Sequence, residues 1–128
     1  MARIRDVTFD SPHPASIARF WAAALDGYDI APYDDAEIER LRGLGIEDVD
    51  DDPSVMVEAA DGRPPRLCFQ LVPESKVVKN RVHFDLATED RAAEIARLTD
   101  LGALVLADYE HWTTMADPDG NEFCVSGR

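Results

Sequence analysis

The tetrapeptide Ile17-Ala18-Arg19-Phe20 is repeated as Ile95-Ala96-Arg97-Leu98. This repeat is the main indication of the fold of the 128-residue chain. Both copies space their apolar residues as an amphipathic helix does. Each copy also follows a segment in which apolar and polar residues alternate, residues 4–9 in the first half and residues 81–87 in the second. Such alternation is typical of a half-buried strand. The repeat therefore indicates a duplicated strand–helix unit.

Each half closes on a further alternating strand, at residues 67–72 or 122–126. We therefore predict an α+β fold with two βαβββ modules in tandem, the first over about 1–75 and the second over about 76–128 of a single domain. The helix covers only one face of such a small sheet. A pair of modules then forms a U-shaped mixed sheet whose other face is a shared cleft.

A strongly acidic insertion interrupts the first module at residues 34–52. A short amphipathic helix is predicted over residues 36–44, with Ile38, Leu41 and Leu44 facing inward. The segment lacks the glycine and glutamate spacing of a calcium loop. It is interpreted as a solvated insertion, or as a flap over the cleft.

Composition and charge exclude several classes of function. The chain is 45% hydrophobic and carries a formal charge of −13, which disfavours nucleic acid and anionic membranes as partners because both attract basic surfaces. No apolar run approaches the roughly 20 residues that span a bilayer. The first residues lack the apolar stretch of a secretion signal, and only two cysteines are present. We therefore expect a cytoplasmic protein with free thiols.

Three short motifs add a family resemblance to this pattern. They are Phe20-Trp21 on the first helix, residues 79–86 with the sequence KNRVHFDL, and residues 117–124 with the sequence DPDGNEFC. Together they resemble the vicinal oxygen chelate superfamily, and within it the glyoxalase-like and bleomycin-resistance-like domains. The resemblance implies paired βαβββ modules around a small-molecule cleft, usually in a homodimer. It also implies that some members hold a divalent metal on four strand positions, whereas others sequester a drug without metal.

The four positions that match the family's metal ligands are Asp6, Gln70, His83 and Cys124. The duplication pairs Asp6 with His83 and Gln70 with Cys124. This set is a poor match to the oxygen-rich sites that hold Mg²⁺ or Mn²⁺. Zinc accepts His83, Cys124 and Asp6 as ligands, but Gln70 is an unusual fourth. A divalent metal is therefore possible but not favoured.

Each further candidate has a functional and a structural interpretation. His83 and Asp85 share one strand face, where His83 is a pocket residue able to act as general acid or base. Cys124 is a nucleophile, a ligand or a small buried hydrophobe. Glu122 either supplies the carboxylate that Cys124 lacks or points to solvent. Trp112 forms either an aromatic wall for a flat ligand or part of the core.

These residues lead to one expected function and two alternatives. We expect a small organic molecule to bind in the cleft without a full metal site, and the sequence leaves open whether acid–base chemistry through His83 turns that molecule over. One alternative is a drug-sequestering protein without catalysis. The other is a metal-dependent lyase or dioxygenase of the same superfamily. A homodimer is expected from the resemblance alone.

Overall fold

Both halves of the chain fold as a strand, a helix and three further strands in the computed structural model, which describes residues 1–128. They form two units, Met1–Glu74 and Ser75–Arg128. The elements of the first unit are β1 Asp6–Ser11, α1 Pro14–Ala24, β2 Tyr28–Ile30, α2 Asp35–Gly43, a 3₁₀ turn Val49–Asp51, β3 Ser54–Ala59 and β4 Arg66–Leu71. Those of the second are β5 Asp85–Thr88, α3 Arg91–Asp100, β6 Leu104–Asp108, β7 Trp112–Ala116 and β8 Glu122–Gly127.

Each unit contains an open, mixed sheet of four strands. The order is β1-β4-β3-β2 in the first unit and β5-β8-β7-β6 in the second. The first and last strands of each unit pair in parallel, and the remaining neighbours are antiparallel. The prediction of an α+β fold with tandem βαβββ modules is therefore confirmed. Only β2 has no counterpart in the sequence pattern, because three residues are too few to show a period.

The core of the first unit lies between α1 and one face of its sheet. Pro14 is the first residue of α1, where its fixed φ favours the helical turn. Ile17 and Trp21 belong to the buried face of this helix. Phe9 of β1 stacks on Phe69 of β4 with ring centroids 5.1 Å apart, and on Trp21 at 6.3 Å. The stacking of these large rings contributes to the apolar core of this unit.

The acidic insertion is attached to the first unit at two buried points. Leu41 of α2 is buried, whereas the predicted inward residues Ile38 and Leu44 are exposed. The carboxylate of Asp52 is also buried and accepts a hydrogen bond from the Ser54 backbone N–H at 2.9 Å. The predicted inward position of Leu41 is therefore confirmed, and that of Ile38 and Leu44 is wrong. The interpretation as a simply solvated insertion is wrong for Asp52.

Two predicted strands begin later than the alternation suggests. β1 begins at Asp6, where its ladder to β4 starts, and Ile4 is left exposed. β5 begins at Asp85, so His83 lies in the irregular segment before the strand. Val82, an apolar residue of the predicted strand, is exposed. Alternation continued beyond the paired residues, and pairing is what defines a strand.

In the second unit, α3 packs its single buried residue, Leu98, toward the sheet. The turn between β7 and β8 is held by Asp117, whose Oδ1 accepts the backbone N–H groups of Asp119 and Asn121 at 3.0 and 2.9 Å. Gly120 adopts a φ of 90° there, a value that glycine tolerates without strain.

The edge strand of the second unit, β6, exposes three consecutive apolar side chains, Leu104, Val105 and Leu106. Its register to β7 shifts between Val105 and Ala107, which is a β-bulge at Leu106. None of the helices in the chain is long and apolar enough to span a bilayer.

We predict that Leu98→Ala lowers the free energy of unfolding by about 2–4 kcal/mol, because it removes a fully buried side chain and leaves a cavity. Leu104→Ala is the matched control, since Leu104 is exposed on β6, and its expected cost is below about 1 kcal/mol. Urea denaturation followed by circular dichroism measures both. Equal effects of the two substitutions would contradict the placement of α3.

Candidate functional site

One cavity in the second unit brings together most of the residues that the sequence singles out. It has a volume of about 380 Å³. It is lined by Lys79, His83, Asp85, Tyr109, Trp112, Thr114, Glu122 and Cys124. All candidates from the second module are in this set, whereas Asp6 and Gln70 belong to the first unit.

Strand register places Cys124 at the centre of this cavity. Asp85 lies opposite Cys124 in the parallel β5–β8 pair, and Thr114 lies opposite it in the antiparallel β7–β8 pair. Side chains opposite each other in a ladder point to the same face, and Thr114 Oγ1 is 3.5 Å from Cys124 Sγ. Phe123 and Val125 are buried on the other face. Cys124 is therefore a half-buried cavity residue and not part of the core.

His83 reaches the cavity from the segment that precedes β5. The carbonyl of Phe84 accepts the backbone N–H of Cys124 at 2.9 Å, which fixes this segment against β8. His83 Nε2 is 3.3 Å from Asp85 Oδ1. A carboxylate this close orients the imidazole ring. His83 and Asp85 thus share a face as the sequence predicts, although His83 is not in the strand.

Three unlike donor atoms lie close together among the residues that line the cavity. A ring nitrogen of His83, a carboxylate oxygen of Asp85 and the sulfur of Cys124 all lie within 4.8 Å of one another. The group combines a nitrogen, an oxygen and a sulfur ligand. The three atoms are close enough to one another to hold one metal ion.

Glu122 does neither of the two things that the sequence suggests for it. One of its carboxylate oxygens accepts Lys76 Nζ at 3.0 Å, and the other accepts the backbone N–H of Asn80 at 3.0 Å. Burial opposes ionisation of Glu122, but these two hydrogen bonds outweigh it and lower the pKa of Glu122 to about 2. Glu122 therefore fastens residues 76–80 to β8 as a permanent anion.

Two stacked aromatic rings form a wall of the cavity. The rings of Tyr109 and Trp112 have centroids 4.6 Å apart and planes 25° from parallel. A backbone hydrogen bond from Tyr109 N–H to the Trp112 carbonyl at 2.9 Å joins the residue that follows β6 to the first residue of β7. Trp112 is 41% exposed, so its interpretation as a core residue is wrong. An exposed, rigid aromatic surface of this kind suits a flat ligand.

The two first-unit candidates do not fit a metal ion. Asp6 accepts hydrogen bonds from Arg66 at 2.7 and 3.1 Å and from Arg5 at 2.8 Å. The hydrogen bond from Arg66 is the main reason that the pKa of Asp6 is lowered. Gln70 donates its amide N–H to Asp10 at 2.7 Å. A cation at Asp6 would be repelled by two guanidinium groups.

The duplication nevertheless relates the two units residue by residue. Asp6 lies five residues before the end of β1, and His83 lies five residues before the end of β5. Two residues then separate each strand from its helix. Asp6 and His83 are therefore counterparts, and Thr8 is the counterpart of Asp85.

The register then shows that Cys68, and not Gln70, is the counterpart of Cys124. Thr8 pairs with Cys68 across the β1–β4 ladder, just as Asp85 pairs with Cys124 across β5–β8. The expected pairing of Gln70 with Cys124 is therefore wrong by two residues. A shift of two preserves which face a side chain occupies, so alternation in the sequence cannot reveal it.

The first unit has a separate cavity of about 380 Å³. It is lined by Ala31, Pro32, Tyr33, Asp34, Glu37, Arg40, Asp52, Ser54, Met56, Glu58 and Arg66. Asp52 accepts hydrogen bonds from Tyr33 Oη at 2.7 Å and from Arg40 Nη2 at 2.8 Å. Burial and the hydrogen bond to Asp52 raise the pKa of Tyr33 above its usual range. These groups satisfy one another and hold the acidic insertion in place.

Sequence reasoning missed three residues of the second-unit cavity, Lys79, Tyr109 and Thr114. Tyr109 lies just after β6, outside the strand. Thr114 lies two positions after Trp112 in β7, so a period of two assigns it to the same face. Lys79 lies in an irregular segment, where no periodic pattern gives the direction of a side chain.

Comparison with known families agrees with this architecture. A family model described as a glyoxalase-like domain matches residues 6–126. The chain belongs to the glyoxalase-like domain family. This places it in the vicinal oxygen chelate superfamily, as the three motifs indicate. No functionally curated protein sequence matches the chain significantly.

Solved structures share the fold of this glyoxalase-like domain at low sequence identity. A fosfomycin resistance protein from Mesorhizobium loti aligns with a TM-score of 0.67 at 12% identity, over 98% of this chain and 91% of its own. A possible glyoxalase from Bacillus cereus has a TM-score of 0.65 at 14% identity, with 98% and 99% covered. The trypanothione-dependent glyoxalase I of Leishmania major has a TM-score of 0.61 at 15% identity, with 99% and 87% covered.

We predict that Glu122→Gln destabilises the protein by about 1 kcal/mol at neutral pH, because two charge-assisted hydrogen bonds become neutral ones. The pKa of Glu122 is about 2 in the folded chain against a usual 4.5. Its contribution is therefore complete above about pH 4.5 and is lost as the pH falls toward 2. The difference between wild type and variant should shrink over that interval.

Urea unfolding at a series of pH values measures this difference. Glu110→Gln is the control, because Glu110 lies in the same unit with an almost fully exposed side chain, and it should leave stability nearly unchanged. A constant difference between pH 7 and pH 2 would show that Glu122 does not act as an ionised anchor.

Proposed function

We propose that the second-unit cavity of this glyoxalase-like protein binds a small organic molecule with a flat apolar part and a polar end. The proposal rests on one observation: the stacked rings of Tyr109 and Trp112 and the neighbouring polar side chains of His83 and Asp85 line the same cavity. The apolar part of the ligand packs on the rings. Its polar end then lies next to His83 and Asp85, whose hydrogen-bonding groups fix its orientation.

The charge distribution favours a polar end that both accepts and donates hydrogen bonds. Lys79 and His83 provide donors, whereas Asp85 provides an acceptor. Glu122 is already paired with Lys76 and Asn80, so its negative charge is largely compensated. An alcohol or a phenol both accepts and donates, and an enolisable ketone accepts in its keto form and also donates in its enol form.

Turnover of such a ligand uses His83 as the group that moves a proton. Asp85, at 3.3 Å, orients its imidazole toward the cavity, and an oriented imidazole is the commonest general base in proteins. Proton abstraction next to a carbonyl group is the reaction class that this arrangement supports. Binding without turnover is the alternative, and the same experiments distinguish the two.

Binding is tested with compounds selected from a panel of flat phenols and aromatic ketones by thermal-shift screening against the wild type. We predict that Trp112→Ala weakens the binding of the selected compounds about tenfold, the loss expected for one stacking contact. Trp112→Phe keeps an aromatic face and should lose less than threefold. Isothermal titration calorimetry measures the affinities. Unchanged affinity in Trp112→Ala would show that the aromatic wall does not bind the ligand.

Catalysis is tested by following the selected compounds by mass spectrometry and NMR in chelator-treated protein. We predict that His83→Gln lowers the rate of any conversion by about 10²–10⁴-fold and changes affinity less than threefold. His111→Gln is the control, because His111 does not line the cavity and its side chain is 80% exposed. A rate that is unchanged in His83→Gln excludes the acid–base role. If all bound compounds emerge chemically unchanged, the protein sequesters its ligand.

A further inference from the structure

Three of the residues that line the second-unit cavity place their donor atoms close together. His83, Asp85 and Cys124 present a nitrogen, an oxygen and a sulfur that all lie within 4.8 Å of one another. A Cys–His–Asp relay has a different shape, because the imidazole stands between the thiol and the carboxylate. Two hydrogen bonds of about 3 Å plus the width of the ring then separate sulfur from oxygen by more than about 6 Å. The observed grouping is therefore too compact for a relay.

The same compactness fits ligands around a single cation. Zinc lies about 2.0–2.3 Å from nitrogen, oxygen and sulfur donors, which places the donors of a tetrahedral site roughly 3.5 Å apart. The 3.3 Å between His83 Nε2 and Asp85 Oδ1 already matches that spacing. The Cys124 sulfur lies within 4.8 Å of both atoms, so a shift on the order of 1 Å would complete the spacing of a zinc site.

The backbone holds these donors in place before any ion arrives. Asp85 and Cys124 are opposite residues in the parallel β5–β8 ladder. The segment that carries His83 is fixed on both sides, by the bond from Cys124 N–H to the Phe84 carbonyl and by the bond from Asn80 N–H to Glu122. Thr114 Oγ1 contacts the Cys124 sulfur at 3.5 Å and supports its position.

The chemistry of the donors selects the ion. A thiolate is a poor ligand for Mg²⁺ and Ca²⁺, whereas a set of imidazole, carboxylate and thiolate suits Zn²⁺. One carboxylate and one thiolate neutralise its two charges. Glu122 is not available as a fourth protein ligand, because its oxygens are bound to Lys76 and Asn80. Three protein ligands with one position open to a cavity is the arrangement of reactive zinc sites.

We propose that His83, Asp85 and Cys124 form a zinc site within the second unit, with its open coordination position facing the cavity. This set differs from the four positions that the family resemblance implies, since Asp6 and Gln70 are bound to groups of their own unit. Zinc at this site supplies a Lewis acid for an oxygen atom of the ligand. His83 then uses its nitrogen lone pair for the ion, so its role as a base belongs to the metal-free protein.

The first unit provides a matched control for the thiol. Cys68 is the counterpart of Cys124, is likewise half-buried, and contacts a hydroxyl group, Ser54 Oγ, at 3.6 Å. Thr8 stands in the ladder where the second unit has Asp85, so the carboxylate donor is missing beside Cys68. Any difference between the two thiols therefore reports on the cluster and not on strand position.

The test begins with reduced, chelator-treated protein titrated with Zn²⁺ against a chromophoric chelator. One ion per chain is expected, and Cys124→Ser should lower the affinity by at least tenfold while Cys68→Ser leaves it unchanged. Loading with Co²⁺ should give a near-ultraviolet sulfur-to-cobalt absorption band that is lost only in Cys124→Ser. Equal affinities and equal spectra in the two serine variants would overturn the proposal.

A second measurement uses unmodified protein and so does not depend on the folding of a variant. Iodoacetamide labelling followed by peptide mass spectrometry gives the alkylation rate of each cysteine in the same molecule. One equivalent of Zn²⁺ should slow alkylation of Cys124 by at least tenfold and leave Cys68 within twofold. Equal protection of both thiols, or of neither, contradicts the site. Organic-ligand binding is measured separately by calorimetry, so its failure is distinguishable from failure of zinc binding.

Discussion

The parallel pairing of the first and last strand in each unit determines where the helix lies, which sheet face stays open and which side chains become neighbours. A parallel pair requires a crossover, and the helix supplies it while covering one face of the sheet. The other face is left for polar side chains. In the second unit this pairing sets Asp85 directly beside Cys124, although the two residues are 39 positions apart in the sequence. Sequence-distant groups become neighbours through backbone hydrogen bonds, which hold them more rigidly than side-chain packing does.

The same scaffold carries different chemistry in the two units. Asp6 stands where the second unit has His83, and it is neutralised by arginine side chains. Thr8 and Cys68 stand where the second unit has Asp85 and Cys124. Duplication thus preserved the strand geometry and the thiol, while the imidazole and the carboxylate beside it are present in one copy only. In the cavity of the first unit, by contrast, the polar side chains of Tyr33 and Arg40 are hydrogen-bonded to Asp52.

Much of the fold was accessible from the sequence because two periods are visible in it, one of two residues and one of 3.6. Alternation correctly assigned Asp85 and Cys124 to polar faces opposite buried residues. It could not determine where His83 leaves the strand, since strand ends depend on a partner that is remote in the sequence. It also could not separate Gln70 from Cys68, because both occupy the same face of β4.

Other features of the site depend on contacts that have no local signature. The role of Glu122 follows from Lys76 and Asn80, more than 40 residues earlier in the chain. A carboxylate in an alternating strand looks the same whether it meets a lysine, a metal or water. Trp112 was ambiguous for a related reason. Its exposure follows from the position of β7 next to the edge strand, where few neighbouring side chains remain to cover an aromatic ring.

The bulge at Leu106 has a consequence for how the chain behaves in concentrated solution. An edge strand with three exposed aliphatic side chains can pair with strands of other molecules. Such pairing can start the growth of fibrils. The extra residue interrupts the regular spacing of amide groups along β6. An added strand therefore cannot form a continuous hydrogen-bond ladder along β6. The bulge thus opposes aggregation at this exposed apolar edge.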